Sequence, residues 1–446
     1  MKRWYLYIKR ISAFLLFILC MIGINEVLRY LLIDDVKSYT RITMHELYEQ
    51  ENIDALFLGS SHSYRSINTA VLDEEWGVNT FNAGSSSQNL VGSYYLLREA
   101  ARKNHISKVY MEVFYELQKN NPTYQSPTAA YIISDYMKPS LNRIAYLWDS
   151  GGKDYLAHGL ILARRNWQDL FAPADILKLL RNKRDPEYRN YAYVKTEDDE
   201  YEGKGFVRNY KEMKPENFTA YELFEPISEN AIDENNRKYL NKIIDFCKEE
   251  EIEIIFYSAP MSDFRLRGIG NYDSYITQMK DFLKDKDVPY YDFNLCRSTF
   301  LDLDDGCFMD NHHLNGHGAD LFSQVIAEFF GGNMETDHVF WDSYAQKMEQ
   351  EEDTVFGMIC LMTKNEQGSI DAQIVPVDNM KEPLYLAVAK RRENEDEYEE
   401  YRGYSEDVTF ALPAGETGYI RIYASRDRQG GQVIKYTTFY YGSTVR

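Results

Sequence analysis

Ile53-Asp54-Ala55-Leu56-Phe57-Leu58-Gly59-Ser60-Ser61-His62 is the stretch that decides the fold class. The apolar run 55–58 stops abruptly at a glycine and two serines. A run this short, apolar on both sides of the chain and closed by turn residues, reads as a strand buried on both faces whose carboxyl end delivers polar side chains into a turn. Such strands belong to parallel sheets covered by helices, and the chain downstream supplies strand, loop and helix in repeated order. Further short strands are read at 80–82, 109–113, 252–257 and 290–293, and helices at 88–103, 232–250, 275–283 and 319–330. In 232–250, Tyr239, Ile243 and Phe246 beside Leu240, Ile244 and Cys247 mark the stripe that faces the sheet. The predicted class is α/β, a three-layer domain over 35–330 with mainly parallel strands.

The alternation is lost over 115–230, a stretch rich in Tyr, Asn and charge with a basic helical piece near 178–183. It reads as an insertion leaving the carboxyl end of the third strand, where it either walls a groove or forms a solvated excursion. Beyond 330, a polar linker spans 331–353. Short alternating strands follow at 355–362, 372–377, 384–389, 408–412, 419–424 and 433–440, with Pro413-Ala414-Gly415 and Gln429-Gly430-Gly431 as turns. That spacing predicts an all-β sandwich, an accessory module over 354–446. Tyr419, Tyr423, Tyr436 and Tyr440, with Tyr441 after them, are read as packing against the neighbouring sheet in preference to stacking on sugars.

At the other end, the uncharged apolar run 11–24 follows Lys2, Arg3, Lys9 and Arg10. It is short for a span of about 20 residues and must borrow apolar residues from 4–8 or 27–33. No small-x-small cleavage site follows it, so an uncleaved transmembrane anchor over 1–34 is preferred to a removed signal peptide. The basic flank then stays in the cytoplasm and the bulk of the chain is extracytoplasmic. The 446 residues carry 50 Lys+Arg against 70 Asp+Glu, a net charge of -20 that repels phosphate backbones and excludes nucleic acid as a partner. With 44% hydrophobic residues, the chain is also not a disordered acidic protein. Five scattered cysteines make no disulfide framework. Cys296 and Cys307 are bridgeable in an oxidising compartment, but buried free thiols are the preferred reading.

A serine of Gly59-Ser60-Ser61, at a strand end, can act as a nucleophile, provided an imidazole takes its proton and a third group holds that imidazole. The stretch Asp310-Asn311-His312-His313-Leu314-Asn315-Gly316-His317-Gly318 lies before the last helix, and its Asp-x-x-His spacing puts Asp310 and His313 on one side of a turn. His62 is read as a pocket wall and His312 as pointing away, since adjacent side chains diverge. His313 and His317, at i,i+4 with Asp310 nearby, raise a metal site as an alternative, weakened by Gly316 and Gly318. The preferred reading has no metal and no cofactor.

Taken in order, Gly59-Ser60-Ser61, Phe81-Asn82-Ala83-Gly84 and Asp310-x-x-His313 resemble the blocks of the SGNH (GDSL-like) hydrolase superfamily, over about 53–120 and 232–330. The resemblance implies a flavodoxin-like sheet, Ser61 as nucleophile, His313 as general base, Asp310 as orienting carboxylate, and an oxyanion hole from the amides of Ser61 and Gly84. The family's Gly-x-Asn-Asp block is absent; Tyr110-Met111-Glu112-Val113-Phe114-Tyr115 stands there and the third oxyanion donor is unassigned. A looser similarity to membrane-anchored O-acetyltransferases and teichoic-acid D-alanylation proteins implies an esterase or O-acyltransferase whose partner is an acylated envelope polysaccharide or acyl donor. A non-catalytic envelope assembly or glycan-binding protein on the same scaffold is the competing class.

Overall fold

The computed structural model describes residues 2–115, 126–164, 172–334 and 338–442. Parts of the expected insertion (116–125, 165–171), linker (335–337) and β module (443–446) lie outside the described residues. In chain order, the strands before residue 300 are β1 (Ala55–Leu58), β2 (Thr80–Asn82), β3 (Lys108–Glu112), β4 (Asp199–Gly203), β5 (Phe206–Asn209), β6 (Thr219–Ala220), β7 (Glu253–Ser258) and β8 (Tyr290–Asp292). The central sheet has the order β2-β1-β3-β7-β8 and every pair in it is parallel. Leu56 faces Phe81 on one side and Val109 on the other, and Tyr110 faces Ile255.

The alternation of side chains sorts this sheet into two buried faces. Leu56, Leu58, Val109, Met111 and Phe256 pack under the helices Leu90–Ala101, Glu234–Glu249 and Tyr272–Leu283. Ala55, Phe57, Tyr110 and Tyr257 pack under Thr69–Trp76 and Gly316–Phe330. The result is the predicted three-layer α/β domain. Its chain reverses direction of travel across the sheet at β1/β3, and in open parallel sheets ligands bind at the strand carboxyl ends beside such a switch.

The remaining strands are β9 (Val355–Lys364), β10 (Ile370–Asp378), β11 (Tyr385–Arg392), β12 (Glu399–Ser405), β13 (Thr409–Leu412), β14 (Gly418–Ser425) and β15 (Val433–Tyr441). They form two sheets, β13-β10-β9-β6 and β12-β11-β14-β15, packed over Met358, Cys360, Ile374, Val388, Ile422 and Phe439. The predicted β-sandwich is present, with two differences. Its first sheet is completed by β6, from residues 219–220 of the insertion, paired parallel to β9. The edge strand β12 went unpredicted because its sequence, Glu399-Glu400-Tyr401-Arg402, carries the charges that edge strands use against unwanted pairing.

The tyrosine expectation is corrected in part. Tyr419, Tyr423, Tyr436 and Tyr440 sit half-buried on the outer face, paired as Tyr419–Tyr440 and Tyr423–Tyr436, while Tyr441 is in the core. The expected linker 331–353 is also docked onto the domain. It contains the helix Tyr344–Gln350, whose Tyr344 hydroxyl and Lys347 ammonium both bond Asp263. Cys296 and Cys307 are buried free thiols.

The N-terminal helix runs from Lys2 to Leu32 and is long and apolar enough to cross a membrane. Residues 4–24 are exposed along its whole surface, and Asn25 is the first buried one.

Candidate active site

β1 ends at Leu58, and the chain turns through Gly59 and Ser60 into a short helix, Ser61–Tyr64. Ser60 caps that helix by accepting the His62 N–H at 3.2 Å. A Cβ on Gly59 would lie 2.4 Å from Glu112 Oε2, so only glycine lets the turn close this tightly on the end of β3. Glu112 holds the turn from beneath: its Oε2 accepts the Ser60 N–H at 2.7 Å and the Ser60 hydroxyl at 2.9 Å. Burial pushes this carboxyl up to about 7, against the two Ser60 bonds that favour its charged form. Its other oxygen has no hydrogen-bond partner among the described residues.

The second part of the site comes from 252 residues downstream. Phe308 and Leu314 are bridged across a tight turn, in which the Met309 N–H donates to the His313 carbonyl at 3.0 Å. Asp310 sits at the start of this turn and accepts the backbone N–H of His312 at 3.0 Å and of His313 at 2.8 Å through Oδ1. The His313 ring is held by Nδ1, 2.9 Å from Asp310 Oδ2, and its Nε2 lies 2.8 Å from Ser61 Oγ. Burial works to raise the Asp310 carboxyl, but hydrogen bonding and charge from His313, with His312, outweigh it and hold the group below the usual carboxylate range. The structure therefore brings Ser61, His313 and Asp310 into one chain of hydrogen bonds.

Gly316 and Gly318 do not weaken the following helix; they begin it, with Asn315 as cap accepting the Gly318 N–H. A Cβ on Gly318 would lie 2.3 Å from the Cys307 carbonyl, so glycine is what lets the turn and helix nest. His317 in that first turn is exposed, and it is not part of the imidazole cluster. The cluster is instead His62, His312 and His313. His312 was expected to point away, but its Nδ1 lies 3.3 Å from His62 Nε2. The His62 ring stacks on His313 at 4.6 Å and lies 4.1 Å from Phe114, a pocket wall as expected. Burial first, then the neighbouring charges of His313, His312 and Arg265, push the His62 pKa well down, so the ring stays neutral.

The Ser61 N–H donates to no group among the described residues. The Gly84 N–H, expected as the second oxyanion donor, is already engaged: it donates to Asn82 Oδ1 at 3.0 Å, closing a local turn. At the end of β3, Glu112 points at Ser60.

The insertion docks on the domain next to the site. The β4–β5 hairpin docks by the Asn82 N–H donating to the Lys204 carbonyl at 2.9 Å, by Arg65 on Asp199 at 2.8 Å, and by Arg208 on Asp320 at 2.8 and 2.9 Å. Through Gly205 and Val207, and together with Tyr131 and Ile132, it lines a cavity of about 640 Å³ that reaches from Tyr64, Gly84 and Ser85 to Ile33 and Lys37 and lies beside Ser61 without including it.

No family model and no curated protein matches the chain. Among solved structures, an acylhydrolase of Bacteroides fragilis aligns with 65% of this chain and 95% of its own at 10% identity and a TM-score of 0.31. A GDSL-like lipase of Bacteroides thetaiotaomicron aligns with 67% of this chain and 100% of its own, also at 10% identity and 0.31. At these values neither the architecture nor the chemistry rests on them; both rest on the sheet order and the side-chain distances.

Proposed function

We propose that the chain is an extracytoplasmic serine esterase or O-acyltransferase, held at the membrane by its N-terminal helix and acting on acyl groups of a cell-envelope polysaccharide. The observation that carries the reading is the relay Ser61 Oγ, His313 Nε2, His313 Nδ1, Asp310 Oδ2, at 2.8 and 2.9 Å. In such a relay the imidazole takes the hydroxyl proton as the oxygen attacks an acyl carbonyl, and the carboxylate fixes the tautomer and stabilises the imidazolium. The neutral His62 ring beside His313 adds no repulsion to that cation. The proton then passes from His313 to the leaving alcohol, and the acyl-Ser61 ester is opened by water or by a sugar hydroxyl.

The oxyanion meets the free Ser61 N–H first. Recruiting Gly84 requires its bond to Asn82 to open, which costs about 1 kcal/mol for a neutral pair. A charge-assisted bond to the oxyanion is worth about 1.5–3 kcal/mol, so the exchange is favourable once negative charge develops. The sequence blocks shared with SGNH hydrolases support the same assignment.

A non-catalytic glycan-binding protein on this scaffold is the second reading, favoured by the engaged Gly84 amide and by Glu112 in place of the family's third block. Fluorophosphonate labelling of the full chain separates the two. The wild type is expected to form an adduct at Ser61 that Ser61→Ala abolishes and His313→Ala slows by about 10³-fold or more. An unlabelled wild type that still binds envelope glycan, equally well as Ser61→Ala, selects the second reading.

A further inference from the structure

We propose that the insertion seats on the bilayer, with Leu141, Ile144, Trp148 and Leu160 entering the boundary between headgroups and acyl chains around the exit of the N-terminal helix. The proposal rests on reading that helix as a retained anchor. The exposed stretch 4–24 is 21 residues, or about 31 Å of helix, which matches a hydrocarbon core of about 30 Å. Lys9 and Arg10 stand within two turns of its cytoplasmic end and reach the interface by extending along the helix. The opposite boundary then falls at Asn25, where the helix first meets protein.

That point of contact is made by the insertion. Asn25 Nδ2 donates to the Gly159 carbonyl at 3.5 Å and its Oδ1 accepts the Ile161 N–H at 2.8 Å, leaving Leu160 between them, 44% exposed. One residue on, Glu26 pairs with Arg143 at 3.8 Å, which fixes the start of the Leu141–His158 helix at the same height. Leu141, Ile144 and Trp148 fall at i, i+3 and i+7 on one side of that helix and are 83%, 50% and 55% exposed. Non-helical glycines at 151 and 152 end this face. Soluble surfaces seldom carry such a run of large apolar side chains, and an amphipathic face with Trp and Leu is what lies in a membrane interface.

Charge agrees with this occupant. On a chain of net charge -20, the helix Pro173–Lys183 that packs on the same exit exposes Lys178 and Arg181, with Arg184 just after it, beside an outward Leu177. The buried Lys183 of this helix donates to the carbonyls of Tyr30 at 3.0 Å and Ile33 at 2.6 Å, so the basic rim is fixed to the anchor. The cavity lined by the β4–β5 hairpin reaches Ile33, eight residues above Asn25, about 12 Å of rise and just clear of the headgroups.

The full-length protein in liposomes carries its own reference probe, because Cys20 is exposed within the spanning stretch while the other cysteines are buried. Labels are placed on Cys20, and on Ile144→Cys, Leu160→Cys and the remote, exposed Val433→Cys in a Cys20→Ser background, and are challenged with lipids quenching at headgroup or acyl depth. Shallow quenching at 144 and 160, at least about two-fold above that at 433, together with deep quenching at Cys20, is the expected result. Quenching at Cys20 with 144 and 160 no different from 433 overturns the seat and leaves the anchor. An unquenched Cys20 removes the anchor reading and the seat with it. Crosslinking between copies through Ile144→Cys, without lipid quenching, assigns the face to a second copy and also overturns the proposal.

Discussion

Replacing Glu112 by Gln tests whether the turn that carries Ser61 is held by a neutral acid. The carboxyl is 3% exposed, pairs with no cation among the described residues, and keeps two donors from Ser60 on one oxygen. Its pKa rises from the ordinary 4.5 to about 7 in the fold. Between those values the folded chain holds a proton that the unfolded chain has released, so stability falls as pH rises through that window. About 2.5 units at 1.36 kcal/mol per unit give about 3 kcal/mol lost between pH 4.5 and 7. Glutamine keeps an acceptor for Ser60 and cannot ionise; its amide, placed where the unpartnered oxygen now lies, adds an offset of about 1–3 kcal/mol that does not vary with pH. Thermal melting of both proteins at pH 5 and pH 8 reads the difference, since other titrating groups cancel. Part of that loss lies below pH 5, so about 2.5 kcal/mol falls between pH 5 and pH 8; at a little under 2 °C per kcal/mol for a domain of about 300 residues, the gap between variant and wild type should move by about 4–5 °C in favour of Glu112→Gln on going to pH 8. Parallel melting curves across that range would refute the buried, uncompensated acid.

Two more changes probe the relay and its wall. Asp310→Asn should slow fluorophosphonate labelling by about 10³–10⁴-fold with little change in fold, because an amide facing His313 Nδ1 favours the tautomer that cannot accept the Ser61 proton. Since Asp310 is held below the usual carboxylate range, its stabilising bonds persist above its unfolded value of 3.8 and are lost only as pH falls through the lower folded one. Labelling by the wild type that disappears between pH 7 and 5 must then have another cause, and a matching protonation of Asp310 in that interval, seen by carboxyl infrared bands, would contradict the assignment. Gly205→Ala places a Cβ 1.7 Å from the Asn82 carbonyl at a φ of +87°. It should lift the β4–β5 hairpin and raise amide exchange in 199–209 by about ten-fold or more, while the exchange of β14 and β15 stays unchanged.

The α/β class was legible because it depends on short-range pattern, and the Ser61–His313–Asp310 grouping because the three blocks, taken in order, resemble those of a known superfamily. Apolar runs ending in Gly-Ser-Ser mark a strand end, and Asp-x-x-His marks one side of a turn; the parallel sheet then brings both to its carboxyl edge. What remained illegible depends on contacts that pattern does not encode. β6 is two residues, Thr219 and Ala220, and is a strand only because β9 lies beside it. The Gly84 amide is a donor by position, yet the Asn82 side chain, two residues before it, already takes its N–H. His312 should diverge from His313 on a regular strand; on the tight turn between Phe308 and Leu314 the alternation fails, and both rings fold back over His62.

Glu112 lies between these cases, and it shows where a sequence signal goes unused. A single acid among Val109, Tyr110, Met111, Val113 and Phe114 is conspicuous in a strand otherwise built for burial, and an isolated buried carboxylate is costly enough that it must either find partners or take a proton. Here it does both: two donors from Ser60 on one oxygen, and a pKa raised to about 7 by burial. A residue whose titration costs stability as pH rises from 4.5 to about 7 is retained at the floor of the nucleophile turn, where an apolar side chain would leave the Ser60 N–H and hydroxyl without an acceptor. The position of Ser61 Oγ, 2.8 Å from His313, therefore depends on an acid that was visible in the sequence but had no assigned task until the turn folded over it.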